Sequence, residues 1–217
     1  LSTAPRPVLL AVHTFPVWKR TVLWSRTGGG CAHEHEQSTY DGYAVTLKIR
    51  NETASDVAAI EAVTIAAFHD AEHTSHTEHF IVNALRHAGQ LTLSLVADDD
   101  GAVVGHVAIS PIRLSIGPAD WFGLGPLSVL PQRQRQGIGV QLMNHAIAQL
   151  RSMGASGCVL LGDPHYYQRF GFKAESALVL PDVPPEYFLA IAFEGAIPAA
   201  VVAYHDAFNL KAAEMCR

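Results

Sequence analysis

Cysteine is scarce in this chain: there are three in 217 residues, Cys31, Cys158 and Cys216, far apart and without a Cys-x-x-Cys spacing. That usage argues against a disulfide framework or zinc knuckle, and a reducing, cytoplasmic compartment is expected. Long apolar runs are missing too, none approaching the roughly 20 residues of a membrane-spanning helix, so no membrane partner is expected. Charge is sparse at 16% of positions, and acid outweighs base, 20 Asp and Glu against 15 Lys and Arg for a net charge of −5. That balance argues against bulk nucleic-acid binding, although it leaves room for a local basic pocket for an anionic small molecule. With 49% of positions apolar the chain can build a sizeable core, which excludes a wholly disordered, collagenous or coiled-coil protein. The length suits one domain with a possible appendage.

Residues 1–33 contain Arg6, Lys19, Arg20 and Arg26 but neither Asp nor Glu. They also carry a Gly28-Gly29-Gly30 run, and their continuous apolar patch, Val8 to Val12, is shorter than a secretory core of roughly 7 to 15 residues. A weakly ordered extension over residues 1–45 is expected, with an organellar presequence, a disordered arm or translated upstream sequence as its origin. The folded domain is expected over residues 46–217.

Leu47 to Arg50 alternates as a strand does, and an apolar-periodic run to Phe68 follows Ser55 and Asp56 as a helix. His69, His73, His76 and His79, with His87 beyond, are interleaved with Asp70, Glu72 and Glu78. Without His-Glu-x-x-His or a further ligand fixed by spacing, a polar helix face or mobile loop is expected there rather than a metal site. Leu91–Ala97 and Val103–Ser110 read as strands joined by an Asp-Gly turn, hence as an antiparallel pair. Further strands are expected at Trp121–Leu130, Cys158–Leu161, Phe188–Phe193 and Ala199–Tyr204, with helices at Gly139–Met153 and Pro164–Phe170. This order implies an α/β domain whose mixed sheet carries helices on both faces.

The segment Leu127 to Leu142 joins an apolar strand to an amphipathic helix through a polar, glycine-containing turn. A helix N-terminus presents unpaired N–H groups and a positive dipole end, and glycines there let a phosphate approach the main chain. Between Trp121 and Gly162 there are three arginines and no carboxylate. A phosphate-rich ligand suits that stretch. The dinucleotide fingerprint fails because Leu142 stands where a third glycine belongs, and the P-loop fails for want of Gly-Lys-Ser/Thr.

What remains is Gln134-x-x-Gly137-x-Gly139 after Leu127-x-Val129-x-Pro131, together with a later Gly162-Asp163-Pro164-His165-Tyr166-Tyr167-Gln168-Arg169-Phe170-Gly171-Phe172. Both resemble segments of the GCN5-related N-acetyltransferase (GNAT) superfamily, the second in a form similar to its YhbS-like bacterial subgroup. The resemblance runs from about Thr46 to Asn209. It implies the GNAT fold: a mixed, mostly antiparallel sheet of about six or seven strands, with a splayed pair at the cofactor slot. It implies acetyl-CoA as cosubstrate, with main-chain groups of Leu127, Ser128 and Val129 pairing with the pantetheine arm. Amides from Gln134, Arg135, Gln136, Gly137, Ile138 and Gly139 would cradle the pyrophosphate. Gly123 and Gly125 suit the bulge that opens the slot. Tyr167 matches the family's general acid toward the departing thiolate, with an aromatic packed under the cofactor as its plain alternative and Tyr166 as its substitute.

The implied activity is direct N-acetylation of a primary amine on a small molecule or a protein. The alternative is a noncatalytic acyl-CoA-binding sensor or interaction module, and a homodimer is compatible with either. A lysine-like amine must lose a proton held about 3.4 pH units above neutrality, roughly 4.6 kcal/mol. Phe122 to Leu130 offers no carboxylate for that step, which leaves Asp120, His106, Glu72 or a water relay through main-chain carbonyls. Cys158, in an apolar run, reads as a buried small hydrophobe. The acceptor pocket is expected from residues 69–87 and Pro181–Tyr204. Deleting residues 1–45 should leave a folded domain with an unchanged cooperative melt; aggregation of the shortened chain would overturn that boundary.

Overall fold

A computed structural model describes residues 47–70, 74, 76–117 and 119–209. The expected extension over residues 1–45 lies outside the described residues, as do Cys31, Glu72, His73 and Cys216. The elements run β1 (Leu47–Asn51), α1 (Val57–Phe68), α2 (Glu78–His87), β2 (Leu93–Asp99), β3 (Ala102–Pro111), β4 (Arg113–Leu114) and β5 (Trp121–Val129). There follow α3 (Ile138–Ser152), β6 (Gly157–Leu161), α4 (Pro164–Tyr167), β7 (Lys173–Ala174), β8 (Leu178–Val179), β9 (Phe188–Ala192) and β10 (Ala200–Ala203). Seven strands form the main sheet in the order β1-β2-β3-β5-β6-β9-β7, and β4-β10-β8 make a small second one. All neighbours in the main sheet are antiparallel except β5 and β6. The expected mixed, mostly antiparallel sheet is therefore the one that forms.

The hairpin between β2 and β3 turns through Asp100 and Gly101, both at positive φ (52° and 86°), as a type I′ turn requires. The Asp98 carboxylate accepts from the Gly101 amide at 2.7 Å. Alternation along these strands then sorts the core. Leu95, Ala97, Val107 and Ile109 face α3, whose Leu142, Met143, Ala146 and Leu150 are fully buried against them. Val96 and Ala108 point the other way, onto Ile60 and Val63 of α1. With both faces covered, β3 is buried over almost its whole length, and each fully buried aliphatic contributes about 1.5–3 kcal/mol.

Two ion-pair clusters fasten the edge. Arg50 donates to Asp56 at 2.7 and 2.9 Å and to Asp98 at 2.7 Å, tying β1 both to the start of α1 and to the hairpin. Arg86 on α2 grips Glu52 bidentately at 2.8 Å, and Ser94 donates to the same carboxylate. The Ser94 hydroxyl also lies 2.8 Å from Nε2 of His106. These pairs place α2, which the polar, histidine-rich local sequence left between helix face and loop. The helix begins at Glu78 and buries Ile81, Val82 and Leu85. Among the described residues no helix is long and apolar enough to cross a membrane.

His106 is fully buried, and desolvation pushes its imidazole down to about 4. An unfolded histidine titrates near 6.5, so the unfolded chain binds the extra proton, and stability held above pH 6.5 is lost as pH falls toward 4. The loss from His106 should reach no more than about 3 kcal/mol. Glu52 and Asp56, lowered from 4.5 and 3.8, overlap only the acid end of that window and act mainly below it, whereas His79, lowered by partial burial, adds to it throughout. Urea midpoints from pH 7 to 4 should fall steeply for the wild-type chain, and His106→Gln should reduce the slope by about one proton. Parallel slopes would refute the assignment.

Candidate functional site

The parallel pair β5–β6 has only three rows, Trp121, Phe122 and Gly123 against Gly157, Cys158 and Val159. Beyond Gly123 the strands part. The cause lies on the other edge of β5, where Leu124 pairs with Ile109 but Leu127 with Val107, so β5 carries one residue more than β3. The extra residue sits at Gly125-Pro126, where Gly125 has φ 145°. Gly125 thus serves the bulge as expected. Gly123 has a different reason to be glycine: a Cβ there would overlap the ring of Tyr204.

The parted strands open a cavity of about 450 Å³. One end is the N-terminus of α3. Its first intrahelical bond runs from the Gln141 amide to the Gly137 carbonyl at 3.0 Å, so the amides of Ile138, Gly139 and Val140 have no acceptor within the helix. Gly137 has φ 82°, and open space surrounds its missing Cβ. The preceding turn is held in place from two sides. Gln134 Nε2 donates to the Val129 carbonyl at 3.1 Å, and Arg133 pairs with Asp99 at the hairpin. Arg133 is thus neutralised by a carboxylate remote in sequence. Arg135 and Arg169 also line the cavity, and neither has a carboxylate partner among the described residues. The Arg169 guanidinium lies over the Tyr166 ring, 4.8 Å from its centroid.

Of the residues singled out in the sequence, Leu127, Val129, Gln134, Arg135, Gly137, Ile138, Gly139 and Tyr167 share this cavity. Ser128 and Gln136 do not line it. The Leu130 amide bonds to Val104 on β3, so alternation turns the main chain of Ser128 toward β3 and that of Val129 toward the slot. The Ser128 side chain is buried on the α1 face, its hydroxyl 3.3 Å from that of Thr64. The Gln136 side chain turns away from the cavity, its Nε2 donating to the Gln132 carbonyl at 3.2 Å on the exposed side of the turn.

The opposite wall comes from α4. Asp163 caps it, accepting from the His165 amide at 2.9 Å, with Pro164 in the first turn, and Gly171 ends the following 3₁₀ turn at φ 92°. Tyr167 is 4% exposed and pressed so closely on Gly162 that a Cβ there would overlap its ring. Burial pushes its phenol above the usual tyrosine range, and its hydroxyl has no hydrogen-bond partner among the described residues. Tyr166 reaches the helix end instead: a Cβ on Gly139 would stand 3.0 Å from its Oη.

The candidate bases do not meet in this cavity. His106 is buried on the α1 face, joined to Ser94, and held neutral. Asp120 is exposed and precedes the first residue of β5, at the end away from the α3 N-terminus. Glu72 lies outside the described residues. Cys158 is fully buried and its thiol is pushed up by desolvation, which denies it a thiolate role. The histidine-rich segment lines a second hollow of about 300 Å³ with Thr64, Phe68, His69, His76, Glu78 and His79. Among the described residues no three His, Cys, Asp or Glu side chains converge on a metal-sized site. Tyr204 also lines the first cavity, and no local motif marked it; its signature is the glycine at position 123, some eighty residues away.

Comparison with known proteins matches residues 57–172 to the acetyltransferase (GNAT) family model. The Escherichia coli K12 protein called uncharacterized N-acetyltransferase YhbS is 39% identical over 128 residues, which is 58% of this chain and 74% of that one. A crystal structure of a GNAT family acetyltransferase from Brucella melitensis, in complex with acetyl-CoA, is 49% identical and superposes with a TM-score of 0.69 over 76% of this chain and 99% of its own. The structure of Escherichia coli YhbS in complex with CoA superposes with a TM-score of 0.70 at 31% identity, over 82% of this chain and 97% of that one. The bulged β5, its parting from β6 and the glycine-marked start of α3 are thus set in a chain whose sequence and backbone agree with the same group of enzymes, and the protein belongs to the acetyltransferase (GNAT) family.

Proposed function

We propose that the chain is an acetyl-CoA-dependent N-acetyltransferase that passes the acetyl group directly to a primary amine of a small molecule or a protein. The observation that carries this is the parted β5–β6 pair, which leads from a helix N-terminus to a tyrosine hydroxyl without a hydrogen-bond partner among the described residues. The cavity suits the cosubstrate along its length. The amides at the start of α3, with Arg135 and Arg169, supply positive potential for the phosphates, and Gly137 leaves the room a Cβ would fill. Leu127 and Val129 turn main-chain groups into the slot, where an extended amide-bearing arm finds a strand edge to pair with. Ser128 would act through its place in β3 pairing, and Gln136 by shaping the turn.

The acetyl group comes activated as a thioester, and the protein has to orient it and handle two protons. Tyr167 supports the first of these as a donor. Its raised pKa keeps the phenol protonated across the physiological range, so the hydroxyl is present as a hydrogen-bond donor toward a departing sulfur, and it is that placement rather than acidity that supports the role. That hydroxyl favours catalysis over the sensing alternative, because a buried phenol ordinarily finds a partner within the protein. For the amine proton, the positions of His106 and Asp120 favour water along the slot's main-chain carbonyls. Cys158, held as a thiol, fits direct transfer without an acetyl-enzyme.

Two substitutions separate binding from chemistry. At 100 times its Kd, acetyl-CoA should stabilise the wild-type chain by about 2.7 kcal/mol, and Gly137→Glu should abolish that thermal shift by placing bulk and negative charge against the helix end. A retained shift would remove the pyrophosphate assignment. Tyr167→Phe should keep the shift but slow acetyl transfer to an amine acceptor by roughly 10- to 1,000-fold. Unchanged turnover would leave Tyr167 as packing alone.

A further inference from the structure

Tyr204 follows β10 in a region the family motifs do not reach, yet it lies where the slot begins. Its ring is pressed on Gly123, the last residue of β5 that pairs with β6, so the aromatic stands at the vertex from which the two strands diverge. It lines the same cavity as Leu124, Leu161 and Tyr167. The ring is braced from behind: Phe208 packs on it at 4.8 Å between centroids, and Phe208 is itself buried among Ile81 and Leu85 of α2. The Tyr204 hydroxyl has no hydrogen-bond partner among the described residues, although desolvation raises its pKa as it does that of Tyr167. A tyrosine so placed offers a fixed apolar face and an unused donor to whatever enters the slot.

The slot has a direction. Its phosphate end is the α3 N-terminus, beside Val129. Gly123 is six residues back along β5, at most about 20 Å at a regular strand's rise per residue, the bulge shortening it. An arm anchored at the helix end and laid along β5 therefore brings its terminal group to the Tyr204 ring. We propose that Tyr204 is the end wall of the acyl site and sets its length, admitting acetyl and refusing longer acyl groups. This rests on the acyl-CoA reading above and goes beyond it by naming the residue that selects the acyl chain. The bracing matters to the selection, because a ring backed by α2 through Phe208 cannot swing aside without unpacking that helix.

The test needs no acceptor. Calorimetric titration of the full chain with CoA, acetyl-CoA and butyryl-CoA compares the wild type with Tyr204→Ala and with Tyr204→Leu, which keeps an apolar contact with Phe208 where alanine leaves a gap. Wild type should bind butyryl-CoA at least about 10-fold more weakly than acetyl-CoA, since two added methylenes meet a closed pocket. Each variant should bring the ratio to about 2-fold or less while CoA itself binds as before. Equal wild-type affinities for the two thioesters, or a ratio unmoved in a variant that still binds CoA, would overturn the proposal. Failure of the wild type to bind any of the three would instead strike the acyl-CoA reading.

Discussion

One surplus residue in β5 governs the site. A regular strand would stay hydrogen-bonded to β3 on one side and β6 on the other, and the sheet would close over its own centre. Inserting Gly125-Pro126 between the rows that pair with Ile109 and Val107 turns β5 away from β6 after Gly123. Main-chain groups that a closed sheet would satisfy internally are left facing a cleft. The wall from α4, the helix end at Gly137 and the ring of Tyr204 are arranged around that cleft.

Holding such an opening in a sheet requires rigidity nearby. The hydrophobic layer between α3 and strands β2 and β3 supplies most of it, and the polar contacts decide orientation. Arg50 fastens β1 to α1 and to the hairpin, Arg86 fastens α2 to Glu52, and Arg133 fastens the turn before α3 to Asp99. Partly exposed pairs of this kind contribute modestly each. Their value lies in fixing which segments meet: each joins residues that belong to different elements.

The legible parts were those written locally. Alternation in Leu93–Asp99 and Ala102–Pro111, the Asp-Gly turn between them, and the Gln134-x-x-Gly137-x-Gly139 run all depend on neighbours within a few residues. Strand and helix boundaries there fell within two residues of expectation. Illegible parts depend on distant contacts. The placement of α2 rests on Glu52 and on burial of Ile81 and Leu85, the two-residue strands β4, β7 and β8 form only because partners are near, and Tyr204 is tied to Gly123 across the sheet. His106 looked available for proton transfer by its residue type. Its register opposite Ser128, on the α1 face, takes it away from the slot.

The contact between Arg133 and Asp99 alters how the cavity looks from a distance. With that guanidinium cancelled, the remaining charged side chains lining the cavity are Arg135 and Arg169 against Asp163, in a protein whose net charge is −5. Their field is screened within about 8 Å at physiological ionic strength. On the proposed cosubstrate reading, an anion would gain little guidance while diffusing toward the protein, and its capture would depend on oriented amides that act only at contact. Recognition built this way would tolerate salt better than a cluster of free arginines, and it would discriminate by the shape of the phosphate chain more than by its charge.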